Sequence, residues 1–338
     1  MEAREGDLVE TTTEAVFDVK GSVHPLSRVI AFIRYFPQAE AERIRNGKTF
    51  GKVYSLSERF ALLKERLPQY LVYDNVFDET LCEVPVSDVQ RHYKPIEKLH
   101  ELRYSKNPDT LESKALRLAE LLKERANISW SNIGISGSIL ASLHLPTSDI
   151  DPIVYGSENC RKVHSALTDI LSDTHSSLKH YTQESLKALF DFRSKDTRVG
   201  FEDFVRTESK KAWQGKFRGT DYFIRFVKDW NENGEKYGDI TYKNFGYAKI
   251  EATVADDSES IFTPCVYRIE NVKLVEGTVV SPIEEIASFR GRFCEQAHTG
   301  EEVVAQGKVE RVTDARKEHE YYRLLLGNKP ADYMIPEL

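Results

Sequence analysis

The sequence is poor in several features that would otherwise name a function class. Its four cysteines, Cys82, Cys160, Cys265 and Cys294, lie far apart with no C-x-x-C pair. A zinc cluster or disulfide framework is therefore not expected, and buried, reduced thiols are the better reading. No stretch approaches the ~20 consecutive apolar residues that a membrane span requires. The first seven residues are polar and acidic, unlike a secretory or transit peptide, so a cytoplasmic location is expected. The nine histidines include no H-x-x-x-H pair, and no G-x-x-x-x-G-K-[ST] loop is present, which removes support for a zinc hydrolase or a P-loop NTPase. Positive charge is also short. A net charge of −7 means that any polyanion must be met by a local patch.

What remains is a chain of 338 residues, 40% hydrophobic and 30% charged, long enough for two or three globular domains. No internal repeat or low-complexity tract appears. Early in the chain, residues 28–36 read as a strand. Residues 57–67 read as a short helix, with Phe60, Leu63 and Leu67 at helical spacing. The clearest element is a helix over 109–124. Asp109 and Glu112 have capping-box spacing, and Leu111, Ala115, Leu118 and Leu122 form one apolar face. A short strand at 133–136, a polar turn, a strand at 149–155 and a helix from Ser157 follow. Residues 183–216 read as mostly helical, then strands at 222–227 and 247–254. After Asp256-Asp257, short apolar runs bordered by glycines suggest a small β-barrel or other β-rich domain.

The chemistry-bearing segment is Gly134-Ile135-Ser136-Gly137-Ser138, ten further residues, then Asp149-Ile150-Asp151. Residues i and i+2 of a strand project from the same face about 6.6 Å apart. Two carboxylates so placed can converge on a pair of Mg²⁺ ions roughly 3.5–4 Å apart. Two such acids repel each other unless a cation lies between them. Gly137, with no Cβ, lets the backbone approach a phosphate, and the Ser138 hydroxyl with nearby N–H groups can hold the β- and γ-phosphates of an NTP. Bulk at Gly137 is accordingly expected to weaken NTP binding more than Mg²⁺ binding.

This segment resembles the DNA polymerase β-like nucleotidyltransferase superfamily, whose signature is Gly-Ser, ten to twelve residues, an Asp, and a second acid two positions on. The resemblance covers roughly residues 105 to 255. It implies that Asp149 and Asp151 bind metal, that Gly137 and Ser138 bind nucleotide, and that an NMP passes from an NTP to an acceptor hydroxyl. The run His24 to Pro37, HPLSRVIAFIRYFP, makes the whole chain look like an uncharacterised archaeal branch of that superfamily.

Three departures from the signature stand out. Pro152 follows the second acid, which implies an edge strand or one that leaves the sheet there. No basic residue follows Gly-Ser closely, and Arg161 or Lys162 is the candidate replacement. The third carboxylate, which the superfamily uses to activate the attacking hydroxyl, falls on Glu251 within apolar-acid-apolar spacing, with Asp221 as its rival. His24 reads as a turn histidine, while His144 is placed to touch a base or ribose. The cluster Arg206, Lys210, Lys211, Lys216 and Arg218, interleaved with Trp213 and Phe217, offers phosphate-pairing charges beside stacking surfaces. It suggests an RNA acceptor, against the blander reading of a solvated helix face.

The expected fold is α+β in three parts. An N-terminal mixed α/β domain (1–104) precedes a polymerase β-like nucleotidyltransferase core (105–255) and a C-terminal β-rich domain (256–338). The expected function is Mg²⁺-dependent nucleotidyl transfer from an NTP. The catalytic set is Asp149, Asp151 and Glu251, with RNA as a candidate acceptor, no membrane partner, and protein partners and oligomeric state left open. The alternative is a non-catalytic nucleotide- or RNA-binding module on the same fold.

Overall fold

Alternating apolar residues in the first ninety positions build an antiparallel sheet in the computed structural model, which describes residues 1–337. Its strands run in the order Arg43–Arg45, Lys48–Lys52, Arg28–Pro37, Val16–Val19, Leu8–Thr11, Val89–Tyr93. Both faces are buried, because the side-chain period of two sends neighbours to opposite sides. Val9, Phe17, Val19, Ala31 and Ile33 pack on Leu63 and Leu67 of the helix segment that begins at Leu56. Leu8, Val16, Tyr35, Phe50 and Tyr93 pack instead on Leu140, Ala141 and Leu143, which directly follow the Gly-Ser segment. Each buried Val, Leu, Ile or Phe side chain among them contributes roughly 1.5–3 kcal/mol.

That second face explains why the division of the chain differs from the three parts expected. Met1–Leu71, Cys82–Tyr181 and Ala212–Gly234 form one compact unit, and Val72–Leu81, Thr182–Lys211 and Glu235–Leu338 form another. The N-terminal sheet and the Gly-Ser segment share one core, so the expected boundary near 104 does not separate them. In the same unit, helix Thr110–Ala126 starts at Asp109 with the capping box in place and packs on helix Ser157–Ser172. These helices accompany a three-stranded sheet of Ile133–Ile135, Pro152–Tyr155 and Arg225–Val227.

The second unit contains helices Gln183–Arg193 and Phe201–Glu208 and a β-barrel. Strand Ile240–Asp256 pairs with Cys265–Gly277, then Ile283–Ser288, His319–Leu326 and Glu302–Asp314, which pairs back with Ile240–Asp256 and closes the ring. Tyr242, Ile250, Val254, Tyr267, Val309 and Leu324 are buried in it. The α+β class and the β-rich C-terminal part thus agree with the sequence. Among the described residues, no helix is long and apolar enough to cross a membrane. All four cysteines are free and buried.

The stretch 183–216 is less helical than expected. Gln214–Phe217 is a strand, and it forms a hairpin with Thr220–Phe223. Arg218 and Gly219 turn that hairpin with φ +48° and +80°, a two-residue turn without the Asn-Gly or Asp-Gly signature that usually betrays one. The basic cluster expected to meet RNA is only partly on the surface: Lys210 and Arg218 are exposed, and the other members are engaged or buried. Trp213 and Phe217 are buried and offer no stacking surface. Arg206 pairs with Asp203 at 2.7 Å and Lys216 with Asp221 at 3.0 Å. The side chain of Lys211 is 0% exposed, and its ammonium donates to Glu208 at 2.6 Å, to the Arg292 carbonyl and to Gln296, both at 2.8 Å.

Removing one partner of a buried pair leaves an uncompensated charge, so Lys211→Ala is expected to lower the stability of this unit by about 3–5 kcal/mol. Urea unfolding monitored by circular dichroism measures this. A change below about 1 kcal/mol would return Lys211 to the surface.

Candidate functional site

The two acids are positioned by backbone pairing of the residue between them. Ile150 donates to the Asp221 carbonyl and accepts from the Phe223 amide, each at 2.9 Å, so the chain here runs parallel to Thr220–Phe223. With Ile150 fully buried, Asp149 and Asp151 share the opposite face. Pro152 was expected to mark an edge. Instead, Pro152–Tyr155 is the central strand of its sheet, antiparallel to Ile133–Ile135 and parallel to Arg225–Val227. The missing proline N–H is absorbed locally. The neighbouring chain breaks between Phe223 and Arg225, and the Ile224 amide turns to the Trp213 carbonyl at 2.7 Å.

Gly137 is pressed against this pair. It has φ +62°, and a Cβ there would lie 1.7 Å from Asp151 Oδ2. The residue is therefore required by the Asp151 carboxylate itself. Beside it, the Ser136 amide donates to the Asp151 carbonyl at 2.8 Å, and the Ser136 hydroxyl donates to the Gly6 carbonyl at 2.6 Å. The Ser138 hydroxyl is buried without a hydrogen-bond partner. Neither the Asp149 nor the Asp151 carboxylate has a hydrogen-bond or ion-pair partner among the described residues. Burial, and then the neighbouring Asp149 charge, push the Asp151 carboxyl up to about 7. Two unpartnered carboxylates on one face supply hard oxygen ligands of the kind Mg²⁺ prefers.

Lys52, Arg225 and Arg34 act on Asp151, and these cations and their neighbours divide into two groups. Arg225 and Lys20 are engaged in a buried network. Arg225 binds Glu5 at 2.8 Å and Asp18 at 3.5 Å, while Lys20 binds the same two acids at 3.0 and 2.9 Å. Arg43 is likewise engaged, donating to the Leu143 carbonyl and to Ser148 Oγ at 3.4 Å. Arg34 and Lys52 are different. Both are half-buried and feel the charges of Asp149 and Asp151, yet neither has an ion-pair or hydrogen-bond partner from its side chain among the described residues. Sequence reasoning missed both. The available signal was a lone arginine inside the apolar strand VIAFIRYFP.

The other nominated residues lie elsewhere or are engaged. Glu251 belongs to the barrel strand of the second unit. There Ile250, Ala252 and Val254 face inward, while the Glu251 carboxylate sits outside with Lys273 at 3.7 Å. Asp221 is beside Asp149 in the strand register, but its side chain is half exposed and bound to Lys216. Lys162 pairs with Glu158 on an exposed helix face, where Arg161 also lies. The His144 Nε2–H donates to Asp109 Oδ2, 2.6 Å away. With Glu112 these three offer ligand atoms within 4.8 Å of one another and could hold a metal ion. Asp109 and Glu112, however, already serve the capping box of helix Thr110–Ala126.

His24 is a structural residue. Its Nδ1 accepts from the Ile30 amide at 3.2 Å, which leaves Nε2 to donate to the Ala3 carbonyl at 3.0 Å. This holds the ring neutral, and burial pushes its pKa down from 6.5 to about 4. A depressed histidine stabilises the fold fully above the unfolded value and loses that contribution as pH falls toward the folded one. The loss between pH 6.5 and 4 is expected to be on the order of 2 kcal/mol, allowing for partial exposure of the ring. Stability profiles of wild type and His24→Gln should therefore diverge in that window, and parallel profiles would rule the histidine out.

No family model and no solved structure matches the chain. A curated archaeal protein does. The uncharacterized protein MJ1086 of Methanocaldococcus jannaschii is 34% identical over 336 residues, covering 97% of this chain and 96% of that protein. At that identity and coverage, the chain belongs to the same family as MJ1086.

Proposed function

We propose that the chain is a metal-dependent nucleotidyltransferase that moves an NMP from an NTP to an acceptor hydroxyl. The observation that supports this reading is the pair of carboxylates flanking the bridged residue Ile150, Asp149 and Asp151, neither with a hydrogen-bond or ion-pair partner among the described residues, with Asp151 pressed against Gly137. Asp149 and Asp151 are partly buried, where two neighbouring carboxylates repel each other, and a bound cation relieves that repulsion. When bound, Mg²⁺ would neutralise charge on the phosphates and lower the pKa of the attacking hydroxyl. Asp149 and Asp151 would hold the metal. Ser138 would contribute a hydroxyl to the phosphates. The acceptor oxygen would form its bond to the α-phosphorus as the bond to the bridging oxygen breaks, releasing pyrophosphate.

A second reading, nucleotide binding without turnover, draws on the engagement of Glu251 with Lys273 and of Asp221 with Lys216. Mg²⁺-dependent release of pyrophosphate from each of the four NTPs, screened over small-molecule, protein and nucleic-acid acceptors, separates the two. Release that depends on an acceptor supports transfer. Tight NTP binding with no release under any acceptor supports the non-catalytic module.

A further inference from the structure

The Gly-Ser segment lacks a following basic residue, so the negative end of a bound triphosphate must be met from elsewhere. We propose that the N-terminal sheet supplies that end of the site, with Arg34 and Lys52 clamping the β- and γ-phosphates of the NTP. This rests on the nucleotidyltransferase reading for the position of the α-phosphate at Asp149 and Asp151.

The sheet register carries the argument. Val16 lies opposite Tyr35, but the next residue, Phe17, lies opposite Ile33, so Arg34 is the extra residue of a β-bulge. Bulges re-aim side chains and are frequent beside functional sites. Here the bulge breaks the alternation. Ile33 packs on the helix side of the sheet, whereas Tyr35 packs on Leu140, Ala141 and Leu143. Lys52 lies opposite Tyr35 in the register and two residues beyond Phe50, both on the Gly-Ser side. The Val53 amide bonds the Arg34 carbonyl at 2.9 Å, which ties the two cation-bearing strands together.

Charge decides between the neighbours. Arg225 and Arg43 are each bound to protein acceptors. Arg34 and Lys52 are half-buried with no hydrogen-bond or ion-pair acceptor among the described residues; Arg34 feels Asp18 as well as the acid pair, and Lys52 lies 5.0 Å over the Tyr54 ring, so an added anion would complete their solvation. Two acids and two bases without hydrogen-bond or ion-pair partners among the described residues therefore feel one another's charge. The positive charge of two Mg²⁺ ions matches the negative charge of a fully ionised triphosphate, so metal and nucleotide together fill the site without changing its net charge. An arginine fork suits the planar presentation of phosphate oxygens, and a lysine adds a point charge.

The test is calorimetric titration with inorganic tripolyphosphate and with MgATP, using wild type, Arg34→Gln, Lys52→Gln and the double variant. Each single change is expected to weaken tripolyphosphate binding about tenfold or more, as for loss of a charge-assisted hydrogen bond. Lys52→Arg should recover most of the loss. Mn²⁺ binding, read by electron paramagnetic resonance, should be unchanged or tighter, because a competing cation has left the acids. Should Arg34→Gln not fold, Lys52→Gln alone decides. Tripolyphosphate affinity within twofold of wild type in the variants would overturn the clamp, as would a wild type that does not bind tripolyphosphate or a parallel loss of Mn²⁺. If the clamp residues behave as expected yet no NTP is ever turned over, the clamp stands and the transfer reading falls.

Discussion

Asp149→Asn and Asp151→Asn are each expected to abolish metal-dependent turnover while leaving the metal-free fold as stable as wild type, or slightly more so. The two halves of this result have one cause. Neither carboxylate has a hydrogen-bond or ion-pair partner among the described residues, so neither substitution breaks one, and the attraction of Asp151 to Lys52, Arg225 and Arg34 is outweighed by burial and by Asp149. Asp151 is held above the usual carboxylate range by burial and by Asp149, so its ionisation near neutral pH works against folding. Replacing either acid relieves that repulsion, and a gain of about 1 kcal/mol would raise the melting temperature by roughly 2–4 °C for a unit of this size. The same substitution removes a metal ligand and lowers the rate at least ~10²-fold, at tenfold per roughly 1.4 kcal/mol of lost transition-state stabilisation. Thermal melts in chelator, set beside pyrophosphate release in Mg²⁺, check both halves. Variants that melt well below wild type would show that the acids are structural.

Gly137→Ala should have a comparably large effect, through a different route from the one the sequence suggests. Spacing alone assigned Gly137 to phosphate approach and made nucleotide binding the more sensitive quantity. The structure places the added Cβ 1.7 Å from Asp151 Oδ2, at φ +62°. The methyl group must displace the carboxylate, so metal affinity should fall by at least tenfold together with nucleotide affinity. Left-handed backbone at a non-glycine residue adds a stability loss of about 1–2 kcal/mol. Mn²⁺ titration of Gly137→Ala measures the first effect and urea unfolding the second. Undiminished Mn²⁺ affinity would mean that the Asp151 carboxylate does not occupy the position described.

Local signals were legible where one segment suffices to determine them. The capping box at Asp109 and Glu112 and the apolar face of the helix it starts are read directly from spacing, and both are present. The barrel strands after Asp256 were recognisable from alternation and bordering glycines, whereas the first, Ile240–Asp256, was read as part of the core domain. Long-range pairing was not. Apolar-acid-apolar spacing at Glu251 describes a barrel strand as well as a catalytic one, because one-sided burial produces the same alternation. Arg34 was invisible for the complementary reason. Its placement depends on a bulge opposite Val16 and Phe17 and on packing of Tyr35 against residues more than a hundred positions away. The aromatic residues of the basic stretch were misjudged because Trp213 and Phe217 serve a hairpin core, which charge spacing does not reveal.

Counting bound Mn²⁺ by electron paramagnetic resonance, with a non-hydrolysable NTP present and absent, tests the proposed metal site at Asp149 and Asp151 most directly. Wild type is expected to take up Mn²⁺ beyond what the nucleotide binds free in solution, with tighter uptake when nucleotide is present. The double variant carrying Asp149→Asn and Asp151→Asn should lose that excess. Equal Mn²⁺ uptake by wild type and the double variant, or none above the nucleotide's own in either, would contradict a metal-dependent site at these two acids.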